Sequence, residues 1–149
     1  MGTGIISAKC ADASLFLSEY KNSADKILAD VPCSGLGIIR RKPDIKLNRE
    51  SIDELPKIQY NILKNAAGYL KCGGELVYST CTIEKDENEA VIERFLDNNR
   101  DFERVDITEL LPEKLRKETA RKGYITLYPN VDGTDGFFIA KVKRVKSSD

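Results

Sequence analysis

A chain of 149 residues with 41% hydrophobic and 32% charged residues has the length of one domain and enough apolar content for a core, which excludes a disordered or fibrous protein. Lysine plus arginine equals aspartate plus glutamate at 24 each, so net charge gives no sign of a polyanionic partner. Histidine is absent, which excludes a Ser-His-Asp hydrolase and a mixed Cys/His zinc site and leaves Cys, Asp, Glu, Lys and Tyr for proton transfer.

Ile5 to Cys10 is a short β-prone run, read as a strand that turns into Ala11-Asp12-Ala13-Ser14. A second apolar run, Lys26-Ile27-Leu28-Ala29, leads into Asp30-Val31-Pro32-Cys33-Ser34-Gly35 and so ends in an acid and a thiol. From Val31 to Glu50 a long connection carries Pro32, Gly35, Gly37 and Pro43 without a sustained helical period. Loops of that length in a compact domain are usually functional or disordered. Ser51-Ile52-Asp53-Glu54 fits a capping box, with the regular helix beginning near Pro56. Leu55, Ile58, Ile62, Leu63, Ala66, Ala67 and Leu70 give that helix one apolar face, and Gly73-Gly74 is read as its left-handed cap.

The strand Glu75 to Ser79 follows and runs into Thr80-Cys81-Thr82. Ligands of open α/β sheets sit outside the carboxyl ends of the strands, and neighbouring strands lie about 4.8 Å apart. Two consecutive parallel strands would therefore deliver Cys33 and Cys81 to one crevice, beside Asp30. Asp86, Glu87 and Glu89 open a helix whose apolar face is Val91, Ile92, Phe95 and Leu96, early acids suiting its positive end. Phe102 to Ile107 reads as a strand, Glu109 to Lys122 as a charged and partly helical excursion, and Tyr124 to Tyr128 as a short extended piece. After the turn at Gly133-Thr134-Asp135-Gly136 comes a last strand, Phe137 to Val142, and then a loose polar tail over residues 143–149. This alternation predicts an α/β sheet, parallel in its middle with the last strands antiparallel.

No apolar run approaches the roughly 20 residues of a membrane span. Met1-Gly2-Thr3-Gly4-Ile5-Ile6 lacks the basic flank and apolar core of a secretory signal, so a cytoplasmic location without a membrane partner is expected. The four cysteines, Cys10, Cys33, Cys72 and Cys81, show no Cys-x-x-Cys spacing, and no structural metal is expected. Basic residues gather at Arg40-Arg41-Lys42 with Lys46, and again at Lys114, Arg116, Lys117, Arg121 and Lys122. Either group is a surface for nucleic acid or simply a solvated face. On residues alone, a cysteine at a strand end is also a small buried hydrophobe, and Asp30 and Asp12 are also loop caps.

Asp30-Val31-Pro32-Cys33-Ser34-Gly35 together with Tyr78-Ser79-Thr80-Cys81-Thr82 resembles the Sun family of RNA cytosine-5 methyltransferases, of the bacterial 16S ribosomal RNA type. The likeness extends through Gly37 to Lys46, Glu87-Asn88-Glu89 and Asp135-Gly136-Phe137-Phe138. It implies a Rossmann-like fold dependent on S-adenosylmethionine and methyl transfer to carbon 5 of a cytosine in 16S ribosomal RNA. It also assigns roles residue by residue: Cys81 matches the nucleophile, and Cys33 the second cysteine, tied to removing the carbon 5 proton or releasing the adduct. Asp30 matches an acid that helps hold cofactor and base, Asp12 an acid near the cofactor's adenosine. Arg40 and Arg41 are candidates for RNA phosphate, while Cys10 and Cys72 match no motif and are expected to be packing residues.

The family's glycine-rich cofactor loop and the strand ending in a ribose-binding acid have no counterpart here, nor has its amino-terminal RNA-binding domain. The chain is thus expected to be the carboxyl-terminal half of the catalytic domain, a truncated α/β fold spanning 1–149. On that expectation it binds cofactor weakly alone, and needs the missing half or self-association through an exposed sheet edge. A non-catalytic RNA-binding or assembly remnant is the alternative, and a thiol redox protein using Cys33 and Cys81 is a weaker third reading.

Overall fold

The computed structural model of the chain describes residues 4–47 and 52–146. Strands β1 (Ala24–Asp30), β2 (Leu70–Thr80), β3 (Phe102–Arg104), β4 (Tyr124–Leu127) and β5 (Phe137–Arg144) form one mixed sheet. Its order is β1-β2-β5-β3, with β4 also pairing with β5. β1 and β2 are parallel, with Asp30 opposite Ser79, and β5 runs antiparallel to β2, with Phe138 opposite Thr80. The expected parallel centre and antiparallel close are both present.

Helix α1 (Leu55–Tyr69) crosses from β1 to β2, and α2 (Glu89–Asn98) follows β2. Alternate residues of β2 and β5, namely Leu76, Tyr78, Phe138, Ala140 and Val142, are buried against Leu63, Ala66 and Ala67 of α1 and Val91, Ile92 and Phe95 of α2. Each large side chain so removed from water contributes about 1.5–3 kcal/mol. Ile139 points the opposite way from its neighbours and packs with Ile107, Ala120, Ile125 and Leu127. The charged excursion therefore covers the other sheet face, as turns of 3-10 helix at Thr108–Leu110, Glu113–Leu115 and Glu118–Lys122.

Several expectations need correction. Ile5 to Cys10 is no strand: these residues are exposed, with Ile5 and Ile6 at 93% and 74%, and among the described residues no strand pairs with the outer edge of β1. β propensity without a partner does not make a strand. Gly73-Gly74 does not cap α1, which ends at Tyr69; β2 has already begun, and Gly73, at φ +82°, lies within it. The register passes from Ala24 opposite Leu70 to Lys26 opposite Glu75, so the glycine pair forms a bulge.

Other boundaries also move. α2 starts at Glu89, leaving Glu87 outside it, and β3 stops at Arg104 because the chain turns away after Val105 bonds to Lys141. α1 has Glu54 as its cap residue without a side-chain cap bond and Pro56 in its first turn; the capping serine, Ser51, lies outside the described residues. β5 extends to Arg144, whose side chain is buried, so Lys143 and Arg144 belong to the sheet rather than to the tail. Ser147 to Asp149 lie outside the described residues.

Candidate active site

The parallel pairing of β1 and β2 carries straight into the site. Past the ladder, the amide of Val31 still donates to Ser79 O at 3.1 Å, so both chains leave the sheet side by side. Cys33 and Cys81 are consequently in contact, with Sγ to Sγ at 3.0 Å, and the Cys81 amide donates to Cys33 Sγ at 3.2 Å. Both are half-buried free thiols, whereas Cys10 and Cys72 are exposed and so are not the packing residues expected of them. Asp30 is exposed at the end of β1 and accepts a hydrogen bond from Ser79 Oγ at 2.9 Å.

The loop after Cys33 is held by backbone. Gly35 takes φ +71°, left-handed territory that suits glycine, and starts the turn Leu36–Ile38. Gly37 N–H donates to Cys81 O at 3.0 Å, and Gly136 N–H donates to Gly37 O at 2.8 Å. Asp135, buried beside that contact, accepts from Arg41 Nε at 2.6 Å and Arg40 Nη2 at 3.3 Å. The two arginine side chains are nevertheless 70% and 71% exposed, so the segment is anchored at one end and open at the other.

Two residues of the site had no role assigned there from the sequence, although Glu87 lies in the Glu87-Asn88-Glu89 segment of the family resemblance. Glu87, 1% exposed, accepts from the Ser34 amide at 2.9 Å and Gln59 Nε2 at 2.8 Å through one oxygen, and from Thr82 Oγ1 at 3.5 Å through the other. Gln59 is fully buried and also donates to Pro32 O at 2.9 Å. Its place on the face shared with Leu63 and Ala66 was the available signal, since a polar residue on an apolar helical stripe must find a partner. The signal for Glu87 was its place in the Glu87-Asn88-Glu89 segment of the resemblance, which its ordinary reading as an acid opening a helix obscured.

The environment sets the state of Cys33. Burial, and next the hydrogen bond with Cys81, push its thiol up to about 12, so at neutral pH it keeps its proton. Burial, then the Glu87 and Cys33 charges, push Tyr78 upward too, and its hydroxyl donates to Glu87 O at 2.7 Å. Asp12 is exposed and bonds locally, accepting from Ser14 Oγ at 2.7 Å and Ser14 N at 2.8 Å, which hold its carboxyl below the usual range. No direct contact joins it to Asp30, Cys33 or Cys81 among the described residues.

The arrangement suits covalent chemistry on a flat substrate: one sulfur to bond, a second in contact holding a proton, and an exposed acid at the strand end. Asp30 is open to solvent there, and Leu28 on the same strand is 70% exposed. A cavity of about 390 Å³, lined by Phe16, Lys64, Asn65 and Arg144 among others, includes no residue of the cysteine loops.

Known proteins are similar to this chain over most of its length. The family model described as 16S rRNA methyltransferase RsmB/F matches residues 1–143. Probable ribosomal RNA small subunit methyltransferase B of Bacillus subtilis is 43% identical over 148 residues, covering 97% of this chain and 33% of that protein. The methyltransferase homolog protein of Pyrococcus horikoshii is similar at 37% identity and a TM-score of 0.61, over 80% of this chain and 39% of that one. NSun6 of Pyrococcus horikoshii, solved with SFG, is similar at 32% identity and a TM-score of 0.64, over 83% of this chain and 31% of that one. The chain thus spans about a third of the length of the relatives it matches. With the family model covering nearly all of it, the chain belongs to the 16S rRNA methyltransferase RsmB/F family.

Proposed function

We propose that this chain carries the covalent centre of an enzyme that methylates carbon 5 of a cytosine in 16S ribosomal RNA. The observation that supports this most is the contact of Cys33 and Cys81 at the ends of two parallel strands. Carbon 5 is a poor nucleophile. Bonding of Cys81 sulfur to carbon 6 pushes the ring's electron pair to carbon 5, which can then take up a methyl group. S-adenosylmethionine, when bound, supplies that methyl as an electrophile. A base then takes the carbon 5 proton, the ring double bond re-forms, and the carbon–sulfur bond breaks with its electron pair returning to Cys81.

Of the two roles implied for Cys33, its raised pKa supports adduct release: a thiol that keeps its proton can donate to the departing Cys81 sulfur. Asp30 would hold the cationic part of the cofactor and the base, and Asp12 would lie toward its adenosine. SFG is an analogue of S-adenosylmethionine, and its presence with NSun6 supports that cofactor here. Few residues of this chain fit the rest of the cofactor, so the isolated chain binds it weakly and needs the remainder of the domain or a second copy at the β1 edge. Calorimetric titration showing tight binding to the isolated chain would contradict this.

Arg40 and Arg41 keep guanidinium surface in solvent while bonded to Asp135, and can present further N–H donors to RNA phosphate. The target cytosine must be unstacked or flipped for its ring to be reached, and covering it is the role we assign to the Val31 to Glu50 connection, of which residues 48–50 lie outside the described ones. The test supplies the missing amino-terminal part in trans, with labelled S-adenosylmethionine and 16S ribosomal RNA. Label on cytosine, lost in Cys81→Ser, is expected; salt-sensitive RNA binding without label would favour the non-catalytic reading.

A further inference from the structure

We propose that Glu87 is a positioning residue for the cysteine pair, holding the two sulfurs in contact by clamping the residue that follows each of them. The proposal rests on the reading of Cys33 and Cys81 as the reaction centre, but its geometry does not. Ser34, next to Cys33, gives its amide to Glu87 Oε2 at 2.9 Å; Thr82, next to Cys81, turns its hydroxyl to Glu87 Oε1 at 3.5 Å. The two following residues also meet each other, Ser34 Oγ to Thr82 Oγ1 at 2.8 Å. One carboxylate thus spans both loops.

Gln59 completes the clamp from helix α1. Its amide nitrogen donates both to Glu87 Oε2 at 2.8 Å and to Pro32 O at 2.9 Å, while its Oε1 is buried without a hydrogen-bond partner among the described residues. Turning the amide over would face its oxygen to a carboxylate and a carbonyl, so the nitrogen-inward orientation is imposed by Glu87 and Pro32 even though it strands the oxygen. The remaining neighbours extend the frame: Tyr78 holds the Glu87 carbonyl, and Asn88 joins Thr80 Oγ1 at 2.6 Å to Thr82 O at 3.0 Å.

Glu87 acts here by shape rather than by charge. In Glu87→Gln, the amide oxygen at the Oε2 place still accepts from Ser34 N and Gln59 Nε2, and the amide nitrogen donates to the Thr82 hydroxyl. Glu87→Ala removes every one of these bonds. Disulfide formation by the pair reads the sulfur geometry directly. In a glutathione buffer, one oxidised glutathione is reduced to two glutathione thiols as Cys33 and Cys81 lose their hydrogens and form the S–S bond.

The experiment uses the full chain in a Cys10→Ser, Cys72→Ser background, both positions being exposed and outside the site. The fraction of Cys33–Cys81 disulfide is measured by mass spectrometry across glutathione ratios. Glu87→Gln should match the parent within about threefold, and Glu87→Ala should lower the equilibrium constant at least about tenfold, a shift of about 30 mV. If Glu87→Ala does not fold, Thr82→Val carries the test: it removes the hydroxyl with its bonds to Glu87 Oε1, Ser34 Oγ and the Glu84 amide, and should still lower the constant severalfold. A folded Glu87→Ala or Thr82→Val with the parent's constant overturns the proposal, as does Glu87→Gln falling as far as Glu87→Ala. RNA adduct formation is scored separately: a clamp confirmed by disulfide chemistry with no adduct in any variant leaves the positioning role standing and removes the methyl-transfer reading.

Discussion

Gly37 lies so close to Gly136 that a Cβ added to Gly37 would stand 2.1 Å from the Gly136 carbonyl oxygen and 2.8 Å from that of Cys81. Both obstacles are backbone, so neither can swing aside. Gly37→Ala should therefore destabilise the fold by about 1–3 kcal/mol, the usual range for overpacking. The same change pulls the Gly37 amide from Cys81 O and should lower activity of the assembled enzyme further than stability alone explains. Urea unfolding checks the first part; a loss under about 0.5 kcal/mol, within the ordinary scatter of surface substitutions, would contradict it.

Cys33 gives the chain an alkaline weakness. Its folded pKa is raised from the ordinary 9.0 to about 12, chiefly by burial. The sign follows from linkage: the stabilising contribution is complete below the unfolded value and is lost as pH climbs through the folded one. Thermal unfolding followed from pH 8 upward should show stability falling above about pH 9, and Cys33→Ala should flatten the fall. Alkylation gives a second readout, with Cys33 reacting more slowly at pH 8 than the exposed Cys10 and Cys72.

Asp135 and Arg41 share an ion pair of 2.6 Å but stand in different surroundings, at 5% and 71% exposure. Removing the exposed partner leaves Asp135 with Arg40, so Arg41→Ala should cost under about 1 kcal/mol. Asp135→Ala removes the acceptor that both arginines use next to the Gly37–Gly136 contact, and should cost about 1–3 kcal/mol. Denaturant unfolding of the two variants tests the asymmetry, and equal losses would contradict it.

How far these features were legible in the sequence depended on whether one signal had one structural meaning. The runs ending at Asp30 and Thr80 were each followed by a distinctive motif, and parallel pairing then required their cysteines to meet, as they do at 3.0 Å. Gly73-Gly74 carried an ambiguous signal, since positive φ serves a helix cap and a strand bulge alike; only the pairing of Lys26 with Glu75 decides. Ile5 to Cys10 had strand composition without a strand partner. Glu87 was read as a helix-opening acid and as part of the resembling Glu87-Asn88-Glu89 segment, but without a partner, because its actual neighbours, Ser34 and Gln59, are remote in the chain and adjacent only once folded. Arg40 and Arg41 were legible as a basic pair, whereas their shared acceptor Asp135 became apparent only when β5 closed the sheet beside β2.

On the proposed mechanism, Cys81 forms the bond to cytosine and Cys33 assists its release. The measurement that tests it most directly is mass spectrometry of the enzyme assembled with its amino-terminal part, incubated with 16S ribosomal RNA and S-adenosylmethionine and then digested. Cys33→Ala should accumulate an RNA adduct on the peptide containing Cys81, and Cys81→Ala should form none. An adduct that persists in Cys81→Ala, or methyl transfer at the parent's rate without Cys81, would contradict it.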